Sequence, residues 1–252
     1  MWWAGTERAP ASYWLSEHCV ARVLGGAGSG ELERVAIESV DAGLDQLAAW
    51  LAPRRGRRAT LWLGGQLCRL MTVPAVQGVQ SLAEAATAAR VALEADGLVP
   101  PGYRFALHEC PADQALWRGS VTHAALVPAE APPAWQARLG SMRPWWSWAL
   151  ARSADGGQVA GARLAFDGEA LTTLARDAQG QLLRAESSAL PGGQAAWERL
   201  WRRQQAAVAP QGQPGEVTAS FATLLRWDAS PRVPSDAESQ AFGFAAWTEV
   251  LA

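Results

Sequence analysis

Strand-length apolar segments followed by amphipathic helices recur along the chain, and this alternation limits the folds open to it. In "ATLWLGGQLCRLMTVP" two such segments flank Gly64–Gly65, which predicts two strands joined as a tight hairpin. Ser81 and Glu84 then form a capping box, in which each side chain satisfies a backbone N–H at a helix start. The helix that they begin is expected to end at Gly97.

Similar combinations of strands and helices precede and follow this segment. A strand over Ser12–Leu24 and a hairpin partner over Glu31–Val40 are expected before a helix with an apolar stripe at Leu44, Leu47 and Leu51. From Arg143 onwards, "WWSWALA", "VAGARLAF", "EALTTLARD" and "QLLRAESS" predict a β-meander. The order predicts an α/β protein with two similar lobes, residues 1–142 and residues 143–252, the second with a C-terminal helical segment.

Composition excludes several classes of protein. The 252 residues are 49% hydrophobic and 18% charged, which is typical of a folded chain, and the net charge of -2 argues against a nucleic-acid partner. The 3 cysteines lack a C-x-x-C spacing, as expected in a reducing compartment. We find neither an 18-residue apolar run nor a secretory signal pattern. The expected location is therefore the cytoplasm, with any membrane contact made through a partner.

Tryptophan is used unusually often, with 14 residues in the chain. Trp145, Trp146 and Trp148 stand together in "RPWWSW". Read as a strand, this segment would direct Trp145 and Trp146 to opposite faces, so that one of them could line a partner-binding groove. The alternative is that tryptophan fills the core.

No set of residues in the sequence predicts catalysis. A G-x-S-x-G elbow is absent, and Cys68 has no nearby base in sequence. His108, Cys110 and His123 lie on neighbouring predicted strands, but their spacing matches no metal motif, and we expect ordinary strand residues rather than a metal site. We expect no catalytic residue and no metal.

One polar segment, "FDGEALTTLARD", has the composition of a phosphate-binding loop. Asp167 and Gly168 end a predicted strand, and Thr172 and Thr173 follow, so backbone N–H groups and hydroxyls could meet phosphate oxygens. The alternative is a plain turn, because Asp-Gly is also a common turn dipeptide.

Several passages, in this order, resemble the cytoplasmic actin-like/RNase H-like domain family of the type II secretion protein GspL and the type IV pilus protein PilM. They are the strand "ATLWLGGQLCRLMTVPAV", the helix and strand "SLAEAATAARVALEADGLVPPGYRFALHEC", the segment "VTHAALVPAEAPPAWQARLGSM" and the hairpin "LTTLARDAQGQLLRAESS". The resemblance covers roughly residues 12–205 and implies a two-lobed actin-like fold with mixed sheets and packed helices.

The resemblance also implies a function. Members of this family are structural proteins that bind short segments of inner-membrane partners or the assembly ATPase. We therefore expect a non-catalytic cytoplasmic scaffold of a pilus-like or secretion-like assembly platform, which binds a partner segment in a groove. PilM-like proteins bind nucleotide through an Asp-x-Gly start on the first strand, whereas this strand reads "WLSEHCVARV". We thus expect no cofactor.

Two alternatives stay open from the sequence. One is an actin-like ATP-binding protein with weak or no hydrolysis, which would use Asp167, Gly168, Thr172 and Thr173. The other is a tryptophan-rich module that binds a small ligand.

Overall fold

The structure is a computed structural model. It describes residues 12–24, 31–53, 59–64, 66–127, 132–152, 161–167, 169–177, 179–189, 199, 219–225 and 242–245.

The first sheet has five strands in the order β3-β2-β1-β4-β8. They are β1 Ser12–Leu15, β2 Cys19–Leu24, β3 Glu31–Ala36, β4 Ala59–Leu63 and β8 Leu139–Pro144. β1 runs antiparallel to β2 and parallel to β4. The parallel pair needs a crossover, which helix α1 (Val40–Leu51) provides.

Helix α1 forms where the sequence predicts it. The Ser39 side chain accepts a hydrogen bond from the backbone N–H of Ala42 at the helix start. At the other end, the Arg138 guanidinium donates to the carbonyl oxygens of Leu51 and Ala52 at 2.7 and 2.5 Å. A cation beside the last carbonyls also complements the helix dipole, so α1 is held at both ends.

The second sheet has eight strands in the order β13-β12-β9-β10-β11-β5-β7-β6. They are β5 Cys68–Pro74, β6 Tyr103–Glu109, β7 Leu116–His123, β9 Gly161–Phe166, β10 Ala170–Arg176, β11 Leu182–Ala189, β12 Ala219–Leu225 and β13 Phe242–Ala245. Helix α2 (Leu82–Ala95) buries Ala85, Ala89 and Leu93 against Val73 and Trp117 of this sheet.

Five strands of the second sheet repeat the arrangement of the first. β9 runs antiparallel to β10 and parallel to β12, as β1 does to β2 and β4. The order β11-β10-β9-β12-β13 therefore matches β3-β2-β1-β4-β8 strand for strand. This repeat supports the expectation of two similar α/β halves.

The chain divides into two compact units. One unit holds Met1–Leu63, Pro128–Arg143 and Ala245–Ala252, and the other holds Gly64–Val127 and Pro144–Phe244. Residues 64–127 join the second unit because β5 pairs with β11 in the second sheet.

Three predictions about strands are corrected by the structure. Ser12–Leu24 is two strands with a turn, rather than one strand. β4 and β5 exist but do not form a hairpin, since each pairs with strands of a different sheet. In the predicted C-terminal helical segment, the described stretch Phe242–Ala245 is a strand.

The predicted strand at "WWSWALA" is helix α3 (Trp145–Arg152). Tertiary packing overrides the strand preference of tryptophan here, because the helix places its aromatic residues against the second sheet. The segment "PPAWQARLGSM" contains a 3-10 turn at Gln136–Arg138, and the residues after it begin β8.

Candidate functional site

The turn that follows β9 carries Asp167, the first residue of the predicted phosphate loop. Its carboxylate Oδ1 accepts hydrogen bonds from the backbone N–H groups of Glu169 at 2.9 Å and Ala170 at 2.7 Å. The Asp167 backbone N–H in turn donates to the carbonyl of Ala170. Asp167 is only 2% exposed. The aspartate therefore binds its own turn, and the backbone N–H groups of Glu169 and Ala170 are already paired with it.

The turn that follows β1 has the same construction, at the equivalent position of the repeat. Ser16 Oγ accepts from the backbone N–H groups of His18 at 3.4 Å and Cys19 at 3.2 Å. The Ser16 N–H donates to the carbonyl of Cys19, and the residue is fully buried. In both turns an oxygen of the first side chain pairs with the amides two and three residues later. We call the pair the closed turns.

The two threonines predicted for the phosphate loop lie inside strand β10. Neighbouring residues of a strand point to opposite faces, so Thr172 and Thr173 cannot both face one phosphate. Thr172 Oγ1 lies 2.8 Å from Ser187 Oγ on β11, and both threonines are buried. Gly168 lies outside the described residues. The structure thus places Asp167 in a turn and the threonines in the sheet.

The three tryptophans predicted to bind a partner hold α3 in place. Trp146 Nε1 donates to the carbonyl oxygen of Cys68 at 2.7 Å, which ties the helix to the start of β5. Trp145 and Trp146 are 1% and 7% exposed. The Trp145 and Trp148 rings are 6.4 Å apart, and Trp148 is half-buried. Successive helix residues are about 100° apart, so both neighbours can be buried at once.

A groove that the sequence analysis did not identify opens in the second unit. Its volume is about 670 Å³, and it lies between the β5–α2 connection and the β6–β7 connection. Trp117, Ala85 and Cys110 are among its apolar lining residues, whereas Gln77 and Gln80 contribute amides. The sequence signal was weak, namely two loops of small and polar residues, "PAVQGVQS" and "CPADQAL".

Titratable side chains line one face of the β5–β7–β6 region. His108 Nε2 lies 2.7 Å from Ser120 Oγ, and partial desolvation of the ring together with the neighbouring Arg118 charge lowers the pKa of His108. Burial raises the pKa of the Cys68 thiol, although hydrogen bonds from Thr122 and Ser120 oppose the shift. A buried thiol with a raised pKa is a poor nucleophile.

The described residues contain neither a metal cluster nor a membrane-spanning helix. Within the described ranges, no three His, Cys, Asp or Glu side chains group closely enough to hold a metal ion. Among those same residues, no helix is both long and apolar enough to cross a membrane.

Comparison with known proteins identifies the fold. No protein-family model matches the chain, and no curated protein sequence does so either. A Bacteroides thetaiotaomicron protein of unknown function with an actin-like ATPase fold superposes with a TM-score of 0.50 and 10% identity, over 91% of this chain and 84% of that one. The chain has the actin-like fold. The expectation from sequence is confirmed in this respect.

Two other similar structures come from bacterial export machines. The cytoplasmic domain of EpsL, an inner-membrane component of the type II secretion system of Vibrio cholerae, has a TM-score of 0.49 and 13% identity, over 93% of this chain and 84% of that one. The PilM–PilN type IV pilus biogenesis complex has a TM-score of 0.42 and 15% identity, over 86% of this chain and 80% of that one. The kinds of protein named by the sequence resemblance are thus among the similar structures.

Proposed function

We propose that this protein is a non-catalytic cytoplasmic scaffold of a type IV pilus-like or type II secretion-like assembly platform at the inner membrane. The observation that carries the proposal is the pair of closed turns. In an actin-like fold with this repeat, each half offers a turn after its first strand, and here Ser16 and Asp167 pair with the amides of those turns. The protein thus has the actin-like fold, but its two turns stabilise that fold instead of binding a ligand. This is expected of a scaffold.

We propose further that the protein acts without a nucleotide cofactor. A phosphate bound at either turn would have to displace a buried side-chain oxygen from two backbone N–H groups. It would also bring its own negative charge next to the Asp167 carboxylate, which is unfavourable. The alternative of an ATP-binding protein therefore receives less support than the scaffold.

The partner in this proposal is a short cytoplasmic segment of an inner-membrane assembly protein. The 670 Å³ groove is the surface to which we assign it. Its apolar floor can take one or two side chains of an extended segment, and the Gln77 and Gln80 amides can pair with its backbone. Contact through such a segment would hold the scaffold at the membrane face. Nucleic acid is not an expected partner, given the net charge of -2.

An affinity pull-down from detergent-solubilised membranes of the native cells tests this proposal. Ala112 is exposed and lines the groove, so Ala112→Trp should fill it. Ala95 is exposed at the end of α2 and does not line the groove, so Ala95→Trp is the matched control. Mass spectrometry then identifies the bound proteins.

We expect pilus or secretion components of the inner membrane with the unmodified protein and with Ala95→Trp, and their loss with Ala112→Trp. Recovery that Ala112→Trp does not affect would contradict the groove assignment and leave the scaffold supported. Recovery of soluble metabolic proteins alone would contradict the scaffold itself.

A further inference from the structure

One corner of the second sheet brings a cation and two rings together on one face. Tyr103 on β6 lies directly opposite His123 on β7. Arg69 on β5 lies opposite Val121, which precedes His123 by two residues on β7 and therefore points to the same face. The guanidinium carbon of Arg69 is 5.2 Å from the Tyr103 ring centroid. The His123 ring meets Tyr103 edge-on, at 5.1 Å and 82°. The tyrosine ring is therefore shared by both side chains.

Three polar atoms at this corner are occluded and lack a hydrogen bond within the described part of the chain. They are Arg69 Nη2, His123 Nδ1 and the side-chain nitrogen of Gln66, which lies in the turn three residues before Arg69. Buried polar groups in proteins are nearly always paired, and a charged one most of all. The Gln66 amide nitrogen and the Arg69 guanidinium can only donate, so the missing group is an acceptor.

The carboxylate on the adjacent strand does not fill this role. Glu186 on β11 is paired with the Arg184 guanidinium and accepts from Ser188 Oγ at 2.8 Å. Glu186 therefore does not neutralise the positive charge of Arg69. Gln66, Arg69, Tyr103 and His123 are each partly exposed as residues, so the corner opens to the surface although the unpaired atoms lie below it.

We propose that this corner binds a small oxyanion, a phosphate or carboxylate group. Arg69 supplies the charged donor, as guanidinium groups do for both anions. The Gln66 amide and the His123 imidazole supply further donors, and the Tyr103 ring forms a flat wall that fixes the guanidinium plane. This site is separate from the closed turns and from the groove, and it does not depend on the scaffold function.

Thermal unfolding in phosphate, acetate or chloride at matched ionic strength tests the proposal. A ligand that binds only the folded state raises Tm in a saturable manner. Arg69→Met removes the charged donor, whereas Arg104→Met removes an exposed arginine from the opposite face of β6 and is the control. Near-UV circular dichroism in chloride verifies that each variant folds, and Gln66→Leu provides a second variant that leaves all charges unchanged.

We expect phosphate or acetate to raise Tm beyond the chloride reference in the unmodified protein and in Arg104→Met. Arg69→Met should weaken the apparent affinity at least tenfold, and Gln66→Leu should weaken it by a smaller factor. A stronger effect of phosphate assigns the site to phosphate groups, and a stronger effect of acetate assigns it to carboxylates. Absence of any shift beyond chloride, or equal shifts in Arg69→Met and the unmodified protein, would overturn the proposal.

Discussion

Replacing Asp167 with alanine tests the closed turn after β9 through the free energy of unfolding. The substitution removes two hydrogen bonds, of 2.9 and 2.7 Å, between backbone N–H groups and a carboxylate. One of the donors belongs to Ala170, which is only 1% exposed. Hydrogen bonds to a charged group contribute about 1.5–3 kcal/mol each, and water that enters the opened turn recovers part of this, so we expect a loss of about 2–4 kcal/mol.

Urea denaturation, followed by tryptophan fluorescence, measures this loss. Asp167→Asn keeps an oxygen acceptor and should cost about 1 kcal/mol, and Ser16→Ala should cost about 1–2 kcal/mol because its two bonds are neutral and longer. Residues retained for ligand binding often stabilise a protein when they are replaced. An Asp167→Ala variant as stable as the unmodified protein, or more stable, would therefore refute the structural role of the turn.

Three further predictions address other parts of the fold. A thiol reagent should modify only Cys110 in the native protein, because Cys19 and Cys68 are buried; more than one reactive thiol would contradict this packing. The pKa of His108 lies below its ordinary value of 6.5, so the unfolded chain takes up the proton first and the protein loses stability as pH drops through that value. His108→Gln should flatten this part of the pH dependence, and an unchanged slope would contradict it. Arg138→Gln should cost about 1–2 kcal/mol in urea denaturation, since it removes the cation that closes α1; no loss would show that the helix end needs no such partner.

Local signals in the sequence predicted the helices α1 and α2 well. The capping box at α2 is present: Ser81 Oγ accepts from the Glu84 N–H at 3.2 Å, although the Glu84 carboxylate accepts from Gln80 rather than from Ser81. Gly97 follows the helix with a φ of +68°, as a C-cap glycine does. These features depend on neighbours within five residues, which the sequence displays directly.

Pairing between distant segments could not be predicted in this way. Gly64–Gly65 predicted a hairpin, but β4 pairs with β1 and β8, and β5 pairs with β7 and β11. The short apolar segment at Trp145–Arg152 fits a strand and a buried helix equally well by pattern. Packing against the second sheet decides between them.

The sequence predicted which residues stand at the turn after β9, but not how they are hydrogen-bonded. The sequence shows Asp167 at the end of a strand but cannot show that its carboxylate accepts the amides of its own turn. Ser16 was not singled out, because a serine in "WLSEHCV" becomes informative only when the repeat places it at the position equivalent to Asp167. The Arg69 corner likewise depends on the register of β5, β7 and β6.

Titration with Mg·ATP tests the central claim most directly, namely that the closed turns leave this actin-like fold without a nucleotide site. Isothermal calorimetry should use the Arg69→Met variant beside the unmodified protein, so that phosphate binding at the corner is recognised as such. We expect no binding of Mg·ATP to Arg69→Met. Saturable binding to that variant, lost when Asp167→Ala is added, would show a nucleotide site at the turn after β9 and restore the nucleotide-binding alternative.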